Sequence, residues 1–250
     1  LGMAVGSVIV ITSGKGGTGK TSLTGGVGAS LALLGKQVLC LDGDVGLRNL
    51  DITLGMTDAA LMDFSDVMAG RCDLSRAAVP HPTVSGLHLL TAPLTLPGDF
   101  PGEAGFQALL QQAREAYDYV LIDSPAGLGP GFRLAVCGAD RAIVVAVSDP
   151  SSLRDAQRVV TQLSQLETIH LVVNRVRPRL LRRQNTTIDD AMDTAGLPLL
   201  GLVPEDPKVV LAATEGRPLA QLGARRGAVR AYENIARRLT GQPVPLMGLR

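Results

Sequence analysis

Gly14-Lys15-Gly16-Gly17-Thr18-Gly19-Lys20-Thr21 places a first glycine, four residues and then Gly-Lys-Thr directly behind a short apolar run. That is the G-x-x-x-x-G-K-T spacing of a phosphate-binding loop. Its glycines let the backbone bend until successive N–H groups face phosphate oxygens. A helix that opens at the loop adds its positive N-terminal end. Lys20 then reaches the β- and γ-phosphates, and the Thr21 hydroxyl can bind Mg²⁺. Ser22 continues the binding segment. Gly14, Gly16 and Gly19 also satisfy the G-x-G-x-x-G spacing of a dinucleotide fold, but Lys20-Thr21 completes a phosphate loop instead.

Carboxylates end two other apolar runs. Residues 38–42 (VLCLD) lead into Gly43-Asp44, and Asp42 and Asp44, two apart, share one face of an extended chain. Beside a phosphate loop they suit a metal and water site. Residues 119–123 (YVLID) end in Asp123, the arrangement in which a carboxylate holds Mg²⁺ through a water. Gly127, just beyond, would let a loop bring its backbone N–H to the γ-phosphate.

Such residues need a scaffold, and the pattern supplies one. Residues 7–12, 38–42, 87–91, 119–123, 142–147, 170–174 and 199–203 are short apolar runs of strand type. Helical stretches are expected at 20–34, 105–116 and 151–166. Strand-helix alternation implies an α/β fold with a mostly parallel central sheet and helices on both faces. Ligands in such sheets bind at the carboxyl ends of the strands, where the Gly-rich and acidic segments fall. Gly25, Gly26 and Gly28 are poor helix formers, so close packing of helix 20–34 on the sheet is expected. One domain over 1–250 is expected, with a Pro-rich loop at 93–101 inside it and a short Pro-containing tail at 241–250.

Composition narrows the class. Hydrophobic residues make up 46% and aromatic residues 3% of the 250, so the core must be built from Val, Leu, Ile and Ala. A formal net charge of +1 does not indicate nucleic-acid binding by bulk charge. Cys40, Cys72 and Cys137 are odd in number and widely spaced, which disfavours a disulfide framework or a zinc knuckle. No apolar run reaches the ~20 residues that span a bilayer. The phosphate loop follows almost at once, so no signal peptide is expected, and a cytoplasmic protein is.

Lys15 is not required by an ordinary phosphate loop. With it, residues 15–21 resemble the deviant Walker A motif of the MinD/ParA ATPase family. GLRNLD at 46–51, the SPAG that follows Asp123, and VPED at 203–206 resemble the MinD branch in particular. The resemblance runs from the first strand to about Leu239. It implies an ATPase of the P-loop class with ATP and Mg²⁺ as cofactors, slow without a stimulus, that forms a homodimer with ATP. Lys15 would reach across the dimer to the partner's nucleotide, as an arginine finger does. Asp44 would orient the attacking water in a first switch, with Asp42 near Mg²⁺ or its waters. The loop around Gly127 would form a second switch. Asn174 and Arg175 would read the adenine ring, under a loop formed by Pro204, Glu205 and Asp206. Residues 151–155 would bear on the dimer interface and on partner binding.

The role so implied is placement of the bacterial division septum. Its partners would be a MinC-like inhibitor, a MinE-like or other topological regulator, and the inner face of the cell membrane. One departure stands out. The branch typically ends in an amphipathic membrane-targeting helix, whereas Gly241, Pro243 and Pro245 break any helix here. Leu246, Met247 and Leu249 with Arg237, Arg238 and Arg250 make only a small apolar and basic tail. Two other family roles stay open: a DNA-partitioning ParA type and a flagellar-number regulator. The DNA-binding role would use Arg177, Arg179, Arg182, Arg183, Arg225, Arg226 and Arg230, which read more simply as scattered solvated charge.

Overall fold

The computed structural model describes residues 5–183, 187–217 and 226–246. Arg225, Met247, Leu249 and Arg250, named above, lie outside the described residues.

Each apolar run becomes a strand. In chain order they are β1 (Ser7–Thr12), β2 (Val38–Asp42), β3 (Val79–Pro80), β4 (Leu87–Leu90), β5 (Tyr119–Asp123), β6 (Arg141–Val147), β7 (Thr168–Val176) and β8 (Leu199–Pro204). They form one sheet in the order β3-β4-β2-β5-β1-β6-β7-β8. All neighbours pair in parallel except β3 with β4. The short β3 was not foreseen, because two residues carry no periodicity.

β1 shows why the sheet is covered on both sides. Val8 and Val10 enter one buried cluster and Ile9 and Ile11 the other, the period-two alternation of a strand. Helices α5 (Gly102–Ala116) and α7 (Pro150–Thr161) bury Phe106, Leu109, Leu153 and Val159 in the first. Helices α1 (Lys20–Leu33) and α11 (Ala228–Leu239) bury Leu23, Val27, Tyr232 and Ile235 in the second. Shorter helices join them: α2 (Leu50–Thr53), α3 (Phe64–Met68), α4 (Leu74–Ala77), α6 (Pro130–Val136), α8 (Pro178–Arg183), α9 (Ile188–Ala195) and α10 (Pro207–Glu215).

Two expectations need correction. The helix expected over 151–166 stops at Thr161, where Gln162 N bonds to Val159 O and Leu163 N to Val160 O. These three-residue steps tighten the chain as Leu163 turns fully into the core. Nor do the three α1 glycines all face the sheet. An added Cβ at Gly28 would meet Cys40 Sγ at 2.5 Å, which is sheet packing. At Gly26 it would meet the Tyr232 ring of α11 at 2.2 Å, and at Gly25 Thr53 of α2 at 2.9 Å. Thus α1 is pressed on three sides.

Residues 242–246 form neither helix nor strand. Arg238 holds them back: its guanidinium donates to Val244 O at 3.0 Å, Pro245 O at 2.7 Å and, on β8, Leu200 O at 2.8 Å. Among the described residues no helix is long and apolar enough to cross a membrane.

Candidate functional site

The Gly-rich loop joins β1 to α1 at the carboxyl edge of the sheet. Gly17 and Gly19 have φ of 77° and 82°, the left-handed region that only glycine enters without cost. Gly14 and Gly19 are also needed for space. A Cβ at Gly14 would meet Asp155 Cβ of α7 at 2.5 Å, and one at Gly19 would meet Asn174 Nδ2 at 2.3 Å. At Gly16 and Gly17 it would meet nothing within 4 Å. Helix α1 starts at Lys20 with no side-chain cap and no acidic residue in its first turn. Its first N–H groups are left for an anion.

Residues far along the chain brace this loop. Asn174, buried at the end of β7, donates Nδ2 to Thr18 O at 2.8 Å. Arg175 donates to Gly17 O. The Thr18 hydroxyl is buried with no partner among the described residues. Ser13 Oγ donates to Lys15 O at 2.9 Å. Gly127 donates its N–H to Ser13 O at 3.2 Å, which seats the chain after β5 on the base of the loop. A φ of 84° at Gly127 turns the chain after β5 over Ser13 and produces this contact.

Lys20, Thr21 and Asp123 converge. Lys20 Nζ lies 2.6 Å from Asp123 Oδ1, and Thr21 Oγ1 donates to Asp123 Oδ2 at 2.8 Å. Hydroxyl and carboxylate are the hard oxygen donors that suit Mg²⁺, a cation that keeps several waters and needs few protein ligands. Among the described residues no three His, Cys, Asp or Glu side chains gather into a protein cage. The donor set therefore fits a metal shared with phosphates and water.

Asp42 lies beside Asp123, in register across β2 and β5. Its carboxylate accepts from Asp44 N at 3.0 Å and Leu50 N at 3.2 Å. Burial pushes its pKa up to about 7 against the pull of the Asp44 N–H, and the neighbouring Asp123 charge adds to the rise. Asp42 thus anchors the turn that carries Asp44 and starts α2. Asp44 is only partly buried. Burial raises its pKa, Lys20 opposes the rise and Asp123 reinforces it.

Lys15 stands outside the cradle. Its Nζ is 3.5 Å from Asp149 Oδ2, with side chains 38% and 43% exposed. Asp149 also caps α7 by accepting from Ser152 N at 2.9 Å. Asp149 was not singled out in the sequence, although Asp before Pro at a helix start is a cap signal.

Beyond Gly19 the loop opens on a cavity of about 440 Å³. Gly19, Ser22, Asn174, Arg175, Pro204, Glu205 and Asp206, foreseen as separate segments, all line it. Two of these carboxylates are already engaged. Arg177 clasps Glu205 with two parallel hydrogen bonds, which holds its carboxyl below the usual range. Asp206 accepts from Lys208 N and Ala228 N, each at 3.0 Å, and so joins the starts of α10 and α11. Tyr232 lines the same cavity and was not singled out in the sequence, although buried positions recur along α11 at helical spacing. Among the arginines named for a DNA surface, Arg177 and Arg230 are paired, with Glu205 and Glu233.

Known proteins match this architecture. The model of the CobQ/CobB/MinD/ParA nucleotide binding domain matches residues 9–219. The septum site-determining protein MinD of Bacillus subtilis is 41% identical over 250 residues, 98% of this chain and 93% of that one. The MinC:MinD cell division protein complex of Aquifex aeolicus contains a chain with TM-score 0.89 and 38% identity, covering 97% of this chain and 98% of that one. MinD complexed with Mg-ADP from Pyrococcus horikoshii OT3 gives 0.81 and 28%, covering 93% and 95%.

Proposed function

The chain belongs to the MinD/ParA family of nucleotide-binding ATPases, in its MinD branch, and from that membership we propose an ATP-driven dimerising switch for division-septum placement. The observation that carries the switch reading is the position of Lys15. The cradle is furnished by Lys20, Thr21 and Asp123 of the same chain, while Lys15 sits at its rim against the half-exposed Asp149. A lysine so placed, held only by a long and half-exposed ion pair, can turn to a second copy's nucleotide.

In this reading the loop N–H groups, the α1 N-terminus and Lys20 hold the triphosphate. Thr21 and Asp123 would hold Mg²⁺, which would supply positive charge beside the phosphate oxygens. Asp44, steadied through its N–H by Asp42, orients the attacking water. Gly127 exchanges its hydrogen bond to Ser13 for one to the γ-phosphate, which couples the second switch to the nucleotide. Asn174, Arg175 and the 204–206 loop hold the base. Hydrolysis is slow until a partner stimulates it. A MinC-type inhibitor is the first candidate partner, since the Aquifex relative was solved in such a complex. A MinE-like or other topological regulator and the membrane surface are the others.

Light scattering of the protein with ATP·Mg²⁺ and with ADP·Mg²⁺ tests the reading. Dimer mass with ATP and monomer mass with ADP is expected. Monomer mass at saturating ATP would refute it. Co-sedimentation with liposomes under the same two conditions tests the membrane role.

A further inference from the structure

Tyr232 is 1% exposed, yet its phenol oxygen forms no hydrogen bond with any described residue. Buried tyrosine hydroxyls ordinarily find a partner, and leaving one unmatched is costly. Tyr232 borders the cavity of about 440 Å³ beyond the Gly-rich loop and a crevice of about 20 Å³ beside α1 and α2.

The phenol lies within reach of charges that border the larger of these two spaces. Burial raises its pKa, the Asp206 carboxylate raises it further and the Arg175 guanidinium lowers it. Asp206 and Arg175 line the large cavity and not the crevice. The ring's other duty is clear: it presses on Gly26, where an added Cβ would lie 2.2 Å from Cδ2. Phenylalanine would serve that packing equally well. Among the described residues the hydroxyl has no hydrogen-bond partner.

We propose that the Tyr232 hydroxyl is a positioning contact for the nucleoside half of the bound nucleotide, hydrogen-bonded to its purine or ribose. The proposal rests on the nucleotide reading given above. The phosphates belong at the loop N–H groups and Lys20, whereas Tyr232 stands with Asn174, Arg175 and Pro204 around the cavity on the far side of Gly19. Its contact is with what distinguishes a nucleotide from bare polyphosphate.

Tyr232→Phe keeps the ring and removes only the hydroxyl. Calorimetric titration with ATP, ADP and inorganic tripolyphosphate at fixed Mg²⁺ and salt, together with the thermal midpoint of the ligand-free protein, reads the effect. ATP and ADP should bind about three- to tenfold more weakly, the range of one neutral hydrogen bond. Tripolyphosphate should bind both forms alike, and the ligand-free midpoint should stay or rise because an unmatched polar group is gone. ATP affinity within about twofold of the parent, or an equal loss for tripolyphosphate, overturns the proposal. A merely structural hydroxyl would instead lower the ligand-free midpoint and leave the ATP-to-tripolyphosphate ratio unchanged. If the parent protein itself binds neither ATP nor ADP, the nucleotide reading falls, and this contact with it.

Discussion

Lys20 and Asp123 meet at 2.6 Å as an almost wholly enclosed ion pair, their side chains 9% and 2% exposed. Removing one member of such a pair strands the other charge away from water. Asp123→Ala should cost roughly 3–5 kcal/mol of stability, measured by urea unfolding without nucleotide. A loss below about 1 kcal/mol would mean that water already shields Lys20.

Lys15 and Asp149 present the opposite case, being half-exposed and 3.5 Å apart. Lys15→Ala should change stability by less than about 1 kcal/mol. Nucleotide should still bind, while ATP-driven dimerisation or hydrolysis is lost. Normal dimerisation together with normal hydrolysis in this variant would show that Lys15 serves no second site.

In the proposed mechanism Asp44 orients the attacking water from a turn held by Asp42. Asp44→Ala should bind ATP like the parent and stay dimeric, with turnover reduced by about 100-fold or more. Single-turnover hydrolysis and light scattering read both effects. A variant that is monomeric with ATP speaks against the assignment.

Burial depresses the pKa of His81, His88 and His170, with the Arg141 charge adding to the effect at His170. His81 is also locked by geometry. Its Nε2 donates to Leu54 O at 2.8 Å, and its Nδ1 accepts from Thr83 N at 3.1 Å and Val84 N at 3.0 Å. As pH falls, the unfolded chain takes up these protons first, near the ordinary histidine value of 6.5. The histidine share of stability is therefore full above that value and declines below it, while the raised pKa of Asp42 works in the opposite sense. Between about pH 7.5 and about pH 5.5 the urea midpoint of His81→Gln should gain on that of the parent. A constant difference between the two would place the sensitivity elsewhere.

Glycines of the loop and of α1 should respond differently to a methyl group. Gly26→Ala drives a Cβ to 2.2 Å from the Tyr232 ring and should cost about 1–3 kcal/mol through overpacking. Gly16→Ala meets nothing within 4 Å and should leave the thermal midpoint nearly unchanged. A Gly26→Ala protein as stable as the parent would show that α11 can slide away from α1.

What could be seen in the sequence follows from what is local. The phosphate loop, the acidic strand ends and most of the strands are stretches whose chemistry is carried by immediate neighbours. Helix α11 also has a local signal, with Val229, Tyr232, Ile235, Ala236 and Leu239 buried at helical spacing, but no motif draws attention to it. Other contacts leave no local trace. Asp155 against Gly14, Asp149 beside Lys15 and Gly127 on Ser13 exist because parallel strands bring distant loops to one edge. The same holds for Gly25 and Gly26, whose neighbours are set by where α2 and α11 dock.

The place of β1 between β5 and β6 bears on how the chain matures as it leaves the ribosome. β1 is made before β5 and β6, yet these later strands occupy both of its hydrogen-bonding edges. Lys20 waits for Asp123, 103 residues downstream. At a synthesis rate of ~5–20 residues per second, that interval is on the order of 5–20 seconds. Throughout it, the SVIVIT segment and the Gly-rich loop have no sheet to join. A nascent chain of this topology would need shelter before it could need ATP, and the nucleotide cradle would close only after the middle of the sheet had been threaded.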